Sequence, residues 1–380
     1  MRLRYDGIIP TFRPMDFFSP DYATARRRFR EAAQAAGWTL ESHSIGCAAP
    51  EGGDLTVEAA FTGPRPRGKV LILSSGLHGV EGFFGSAVQL ALLERWKDGA
   101  PAVQYPDVQC LFLHALNPYG FAWLRRVNEH NVDLNRNFLL PGEAYRGAPA
   151  GYAALDGLLN PRTPPPPWEP FRVKALWAIA HSGMRALKEA VATGQYDFPQ
   201  GLFFGGAGAE PGQVLLQRHL PRWLAGARDV VHLDLHTGLG ASGACKLIVD
   251  HAVSDEQKAR LTRWFGAGSF EDAAGAQARE VGYASRGSLG PWLVSQGLAE
   301  RYLQAFAEYG TCGALDVIAG LRAENRAHHW TPSGSSAQRK AKADLKELFC
   351  PQSRSWRERV LEHAGALADK AAAGLAMEIG

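Results

Sequence analysis

A chain of 380 residues, 46% of them hydrophobic, is long enough to bury a sizeable core. Its net charge of +3, with no basic run interleaved with aromatics, argues against nucleic acid as a main partner. Five scattered cysteines with no Cys-x-x-Cys pair argue against a disulfide framework and fit a reducing compartment. The first residues lack the apolar stretch of a secretory signal. No apolar run approaches the ~20 residues that span a bilayer, so a soluble, cytoplasmic protein with no membrane partner is expected.

Taken in order, residues 19–36 read as a helix, with Ser19 or Asp21 as its cap and Gly37 as its end. Residues 38–44 and 55–61 alternate as strands around a Pro-Glu-Gly-Gly turn. Residues 69–74 form an apolar, central strand. It runs into the small-residue turn 74–82, which carries His78 and Glu81, and a helix over 83–96 follows. An imidazole and a carboxylate three residues apart can converge on one cation. Equally, Glu81 suits the first turn of a helix, where the dipole favours an anion.

Residues 108–113 predict another buried strand. The segment 125–138 that follows is crowded with Arg and Asn between core-type elements. It reads either as a grip for a carboxylate or as a polar surface loop. Residues 142–170 form a low-complexity insertion with four consecutive prolines at 164–167, expected to be extended and exposed. Helices are predicted over 171–193 and 211–225.

A strand over 229–240 places His232, Asp234 and His236 on one face and Val231, Leu233 and Leu235 on the other. His236 falls at the strand end, where sites on open α/β sheets gather. It is the candidate third ligand, whereas the deeper His232 reads as a hydrogen-bonded core residue. Asp234 suits either orientation of a ligand or a structural role. A strand over 246–249, a helix over 254–265 and a Gly/Ser-rich loop over 282–290 carrying Tyr283 come next. A short helix over 291–296 leads to a last strand over 302–309, with Glu308 near its end. From 313 to 380 the chain reads as helices, broken near 331–334 and at Pro351. One domain, 1–380, is expected, its C-terminal helices packed on the sheet.

With His-x-x-Glu, the Asp-x-Asn-Arg-Asn segment, the Asp-Leu-His strand end and a late Glu in order, the chain resembles the zinc carboxypeptidase family over about residues 68–311. It is most similar to the bacterial DUF2817 branch, and more distantly to succinylglutamate desuccinylase and aspartoacylase. The resemblance implies an α/β fold: a mixed, mostly parallel sheet of eight strands sandwiched between helices. It implies one Zn2+ held by His78, Glu81 and His236, with Asp133 hydrogen-bonded to a zinc-binding His. Asn135 and Arg136 match the pair that binds the substrate's terminal carboxylate, Arg126 the Arg that polarises the scissile carbonyl (with Arg125 its rival), and Glu308 the general base. Tyr283 takes the place of the family tyrosine beside the substrate amide. The implied activity is hydrolysis of an amide bond, foremost removal of a C-terminal residue from a peptide. The alternative is deacylation of a small N-acyl amino acid that carries a free carboxylate, and an inactive zinc-binding protein is the reading from another class.

Overall fold

The computed structural model describes residues 14–63, 68–97, 105–178, 180, 193–274 and 285–378. Eight strands form one sheet: β1 (Thr39–Ala48), β2 (Asp54–Phe61), β3 (Lys69–Ser75), β4 (Val108–His114), β5 (Asp229–Leu239), β6 (Cys245–Val249), β7 (Phe270–Asp272) and β8 (Arg301–Cys312). Their order is β1-β2-β4-β3-β5-β8-β6-β7. The central run β4-β3-β5-β8 is parallel and its strands are buried on both faces, β3 and β4 as near-continuous apolar runs. β2 joins β4 and β6 joins β8 antiparallel. The mixed, mostly parallel eight-stranded sheet between helices is thus the fold of this chain.

Side-chain alternation divides the core between the two faces. Leu71, Leu73, Leu233 and Leu235 pack on one face, under the helices Tyr22–Ala35, Gly82–Trp96 and Arg354–Met377. Val70, Ile72, Val230 and Phe306 pack on the other, under the helices Pro211–Trp223 and Leu289–Ser295. Asp21, rather than Ser19, caps the first helix by accepting from the Thr24 N–H at 2.7 Å.

β7 has no counterpart among the strands predicted from the sequence. Its three residues are half-buried or exposed and it lies on the outer edge, so it lacks the alternation that marks a strand. The insertion 142–170 contains the helix Tyr152–Leu159, whose Tyr152, Leu155 and Leu159 are buried with Phe171 and Ile318. The proline stretch is fastened rather than free. Arg326 donates to the Thr163 and Pro164 carbonyls, and both Arg322 and Arg326 pair with Glu169. Of the long helix expected over 171–193, residues 171–178 are helical and most of the remainder lies outside the described residues. All five cysteines are free thiols. No helix among the described residues is long and apolar enough to cross a membrane.

The turn after β3 is fixed by backbone on backbone. The Gly79 N–H donates to the Arg126 carbonyl at 3.1 Å, and the Val80 N–H to the Arg125 carbonyl at 2.8 Å. A Cβ on Gly79 would lie 2.2 Å from the Gly120 backbone, which has no flexible end to move aside. Gly79→Ala is expected to lower unfolding free energy by about 3 kcal/mol, measured by urea denaturation. An unchanged midpoint would mean that the two loops separate freely.

Candidate metal centre

The carboxyl ends of β3, β5 and β8 meet at one edge of the cleft. β3 and β5 are in register from Lys69 opposite Asp229 to Ser75 opposite Leu235, so His236 stands beside the start of the His78 turn. β5 and β8 are in register with His236 opposite Glu308. This is where open parallel sheets place ligands, because the connecting loops diverge there.

The sequence positions His78, Glu81 and His236 come together and are all buried. The Nδ1 atoms of His78 and His236 each lie 3.0 Å from a different oxygen of Glu81. The two rings are 4.8 Å apart and inclined at 75°. On their far sides both rings meet a carboxylate: His78 Nε2 is 3.1 Å from Asp133, and His236 Nε2 is 2.5 Å from Asp234. A proton held on Nε2 by a carboxylate leaves the Nδ1 lone pair pointing inward, the tautomer a metal requires. Arg126 Nη2 also approaches His78 Nε2, at 2.8 Å. With the ring proton on that nitrogen, Arg126 is held by Asp133 at 3.0 Å and Glu81 at 3.3 Å rather than by the ring. Two imidazoles and a carboxylate, converging and oriented from behind, form a donor set that fits a tetrahedral Zn2+ with one place left over.

The charges are strongly coupled. Burial opposes ionisation of Glu81, but His78 and His236 hold its carboxyl well below the usual range. Burial likewise opposes ionisation of Asp133, and Arg126 and His78 bring it far down. Glu308 behaves oppositely. Burial, and then the charge on Glu81, push its carboxyl up to about 7, while its Oε1 accepts from the Leu239 N–H at 3.0 Å.

Arg125 and Arg126 part company. Arg126 lines the cleft. Arg125 is fully buried on the other side, paired with Glu324 at 2.9 Å and donating to Asn131 at 3.0 Å. Leu124 and Asn131, both at positive φ, bracket this loop, and such backbone persists only where its surroundings hold it. Asp133 caps the short turn Leu134–Arg136 by accepting from the Asn135 N–H, so Asn135 and Arg136 follow from the same carboxylate that orients His78.

Arg136 is buried, and its Nε has no hydrogen-bond partner. That nitrogen is packed beside Gly194, while the Arg136 side chain lines the cleft, where a guanidinium suits an anion. The cleft encloses about 730 Å3 and is lined by His78, Arg126, Arg136, His236 and Glu308, with Ile248 and Phe306 on its apolar walls. Tyr283 lies outside the described residues.

Two groups here escaped sequence reading. Ser288 Oγ lies 3.2 Å from Asn135 Oδ1 and donates to Asp250, which also lines the cleft. Its signal was the Gly/Ser-rich loop, which gave no partner. Behind His236, Asp234 accepts from Ser74 Oγ at 2.5 Å, Ser74 meets His232 Nε2 at 2.7 Å, and His232 Nδ1 meets the Tyr302 hydroxyl at 3.0 Å. His232 is therefore the hydrogen-bonded core residue expected, and Asp234 contacts a candidate ligand directly.

Sheet order and helix layers define a carboxypeptidase-like α/β fold. The chain belongs to the family described as "Protein of unknown function (DUF2817)", which it matches over residues 18–363. Among solved structures it is similar to thrombin-activatable fibrinolysis inhibitor, at 11% identity and TM-score 0.50, over 98% of this chain and 79% of that one. The bovine form of that protein, in complex with tick carboxypeptidase inhibitor, matches at 11% identity and TM-score 0.49, over 94% of this chain and 98% of that one. The murein-tripeptide amidase MpaA from Escherichia coli O157 matches at 16% identity and TM-score 0.34, over 77% and 93%. No curated protein matches the chain.

Asp234 orients the second imidazole, so Asp234→Asn is expected to weaken Zn2+ binding about 10- to 100-fold without unfolding the chain. Competition against a chromophoric chelator, with circular dichroism as control, measures this. Unaltered affinity would assign the orientation of His236 to Glu81 alone.

Proposed function

We propose that this protein is a zinc-dependent amide hydrolase that removes the C-terminal residue of a peptide. The observation that carries the reading is the convergence, in one cleft, of the His78–Glu81–His236 set, a carboxyl poised near neutrality on Glu308 and the guanidinium of Arg136. A Zn2+ ion held by the three supplies a Lewis acid and acidifies water toward neutral pH.

The remaining steps belong to side chains of this chain. Arg136, with Asn135 beside it, binds the terminal carboxylate through its guanidinium, which selects the end of a chain. Arg126, anchored by Asp133, donates to the oxygen of the scissile carbonyl as charge builds there. A single donor of this kind typically contributes about 3 kcal/mol. Glu308 takes a proton from the attacking water at its carboxylate and returns it to the leaving nitrogen. The Leu239 N–H fixes one Glu308 oxygen and leaves the other for this work.

Mass spectrometry of Zn2+-loaded protein with free-acid peptides, their C-terminal amides and N-acyl amino acids tests the reading. Loss of one residue from the free acids alone is expected. Cleavage of only the N-acyl amino acids would instead make the protein a deacylase. Glu308→Gln should keep the metal and lower turnover about 100-fold or more, and undiminished hydrolysis would remove Glu308 from the chemistry.

The pH profile has a definite sign. The carboxylate of Glu308 is the active form, and its pKa is raised, so activity falls as pH drops through that value. A cation beside Glu81 relieves part of the repulsion, which puts the acid limb of kcat/KM at or below about 7. A flat profile between about pH 5 and pH 8 would show that no such base titrates.

A further inference from the structure

We propose that Glu41, His43 and His219 form a second site for a divalent transition metal such as Zn2+, on the far side of the sheet edge from the cleft chemistry and independent of it. Their candidate ligand atoms all lie within 4.8 Å of one another. The donor set, two imidazoles and one carboxylate, is the one a borderline metal prefers, with water completing four positions.

The fold produces the cluster from simple periodicity. Glu41 and His43 are two residues apart on β1, so both point to one face of the edge strand. The helix Pro211–Trp223 lays His219 over them, with its ring centroid 4.2 Å from that of His43. The surroundings orient each ligand. Trp223 Nε1 donates to Glu41 Oε2 at 3.0 Å, and the Trp223 ring stacks on His219 at 24°. Outer contacts of this kind are what hold ligands in register for a metal. His43 Nε2 is buried and has no hydrogen-bond partner, and it lies 3.3 Å from Glu41 Oε2. With the imidazole neutral and unprotonated at Nε2, that nitrogen is a lone pair facing a carboxylate, a pairing that a cation between them would satisfy.

Arg222 is the competitor. Its guanidinium contacts both oxygens of Glu41, at 2.7 and 2.5 Å, and its Nη2 lies 3.3 Å from His219 Nδ1. A cation therefore already stands among these three groups. The Arg222 side chain is 56% exposed, so the arm has water to swing into when a metal takes Glu41 Oε2, and the metal must outcompete a bidentate pair to do so. The bound metal would staple the open edge of the sheet to this helix. Glu210, the residue before the helix, is gripped by Asn128 at 2.6 Å and His130 at 2.7 Å, from the loop that carries Arg126.

The test removes the cleft ligands first. His78→Ala/His236→Ala protein is titrated with Zn2+ alone by calorimetry, and bound metal is counted by mass spectrometry after gel filtration. One equivalent is expected to remain. Adding His43→Ala or His219→Ala should weaken it at least about 100-fold, and Arg222→Ala should tighten it. Zero equivalents in the double variant would overturn the proposal. So would an equivalent that survives both His43→Ala and His219→Ala. Should the double variant fail to fold, the same count on the otherwise unaltered chain must fall from two equivalents to one on His219→Ala.

Discussion

The candidate centre depends on one buried carboxylate, Asp133. Its two oxygens serve three separate stretches of chain: His78 in the turn after β3, Arg126 in the loop after β4, and the Asn135 N–H that starts the next turn. A bare carboxylate in that position would be prohibitively costly to bury. It is tolerated because a guanidinium and an imidazole surround it, and those two groups are the ones that face the cleft. The residue that makes the interior electrostatically possible is therefore the one that aims the working side chains.

Its support comes from far along the chain. Arg125, next to Arg126, is pulled into the interior by Glu324 on the helix Ala314–Trp330, and Glu324 is shared with Lys342 on the helix Ser336–Phe349. A second buried pair thus pins the neighbouring residue, so the loop cannot rotate Arg126 out of the cleft without breaking an ion pair that water cannot replace. The C-terminal helices are in this sense part of the site, although they supply none of the residues lining the cleft.

This arrangement explains which features were legible in the sequence. Buried parallel strands announce themselves as apolar runs, as β3 and β4 do, whereas β5 shows itself by period-two alternation. Period two alone assigns His232, Asp234 and His236 to one face, and their common environment follows from it. The choice between Arg125 and Arg126 was not legible. It depends on Glu324, some 200 residues away, and on a loop with positive φ at Leu124. Ser74 was equally opaque, since a serine at the end of an apolar strand has no local mark of a hydrogen bond to Asp234. β7 has three residues and an edge position, too little surface to impose a pattern.

The balance of charge in the cleft carries the reasoning one step further. Glu81 and Glu308 sit close enough for one to raise the pKa of the other, and the two imidazoles beside them only partly offset this. Natural structures leave like charges unrelieved in a buried site mainly where a ligand completes the balance. A cation between His78, Glu81 and His236 relieves the carboxylate side. An anion beside Arg136 would favour its charged form, which burial opposes. Arg136, His78 and His236 line one cleft of about 730 Å3. Cation and anion together would balance the charges that burial leaves uncompensated.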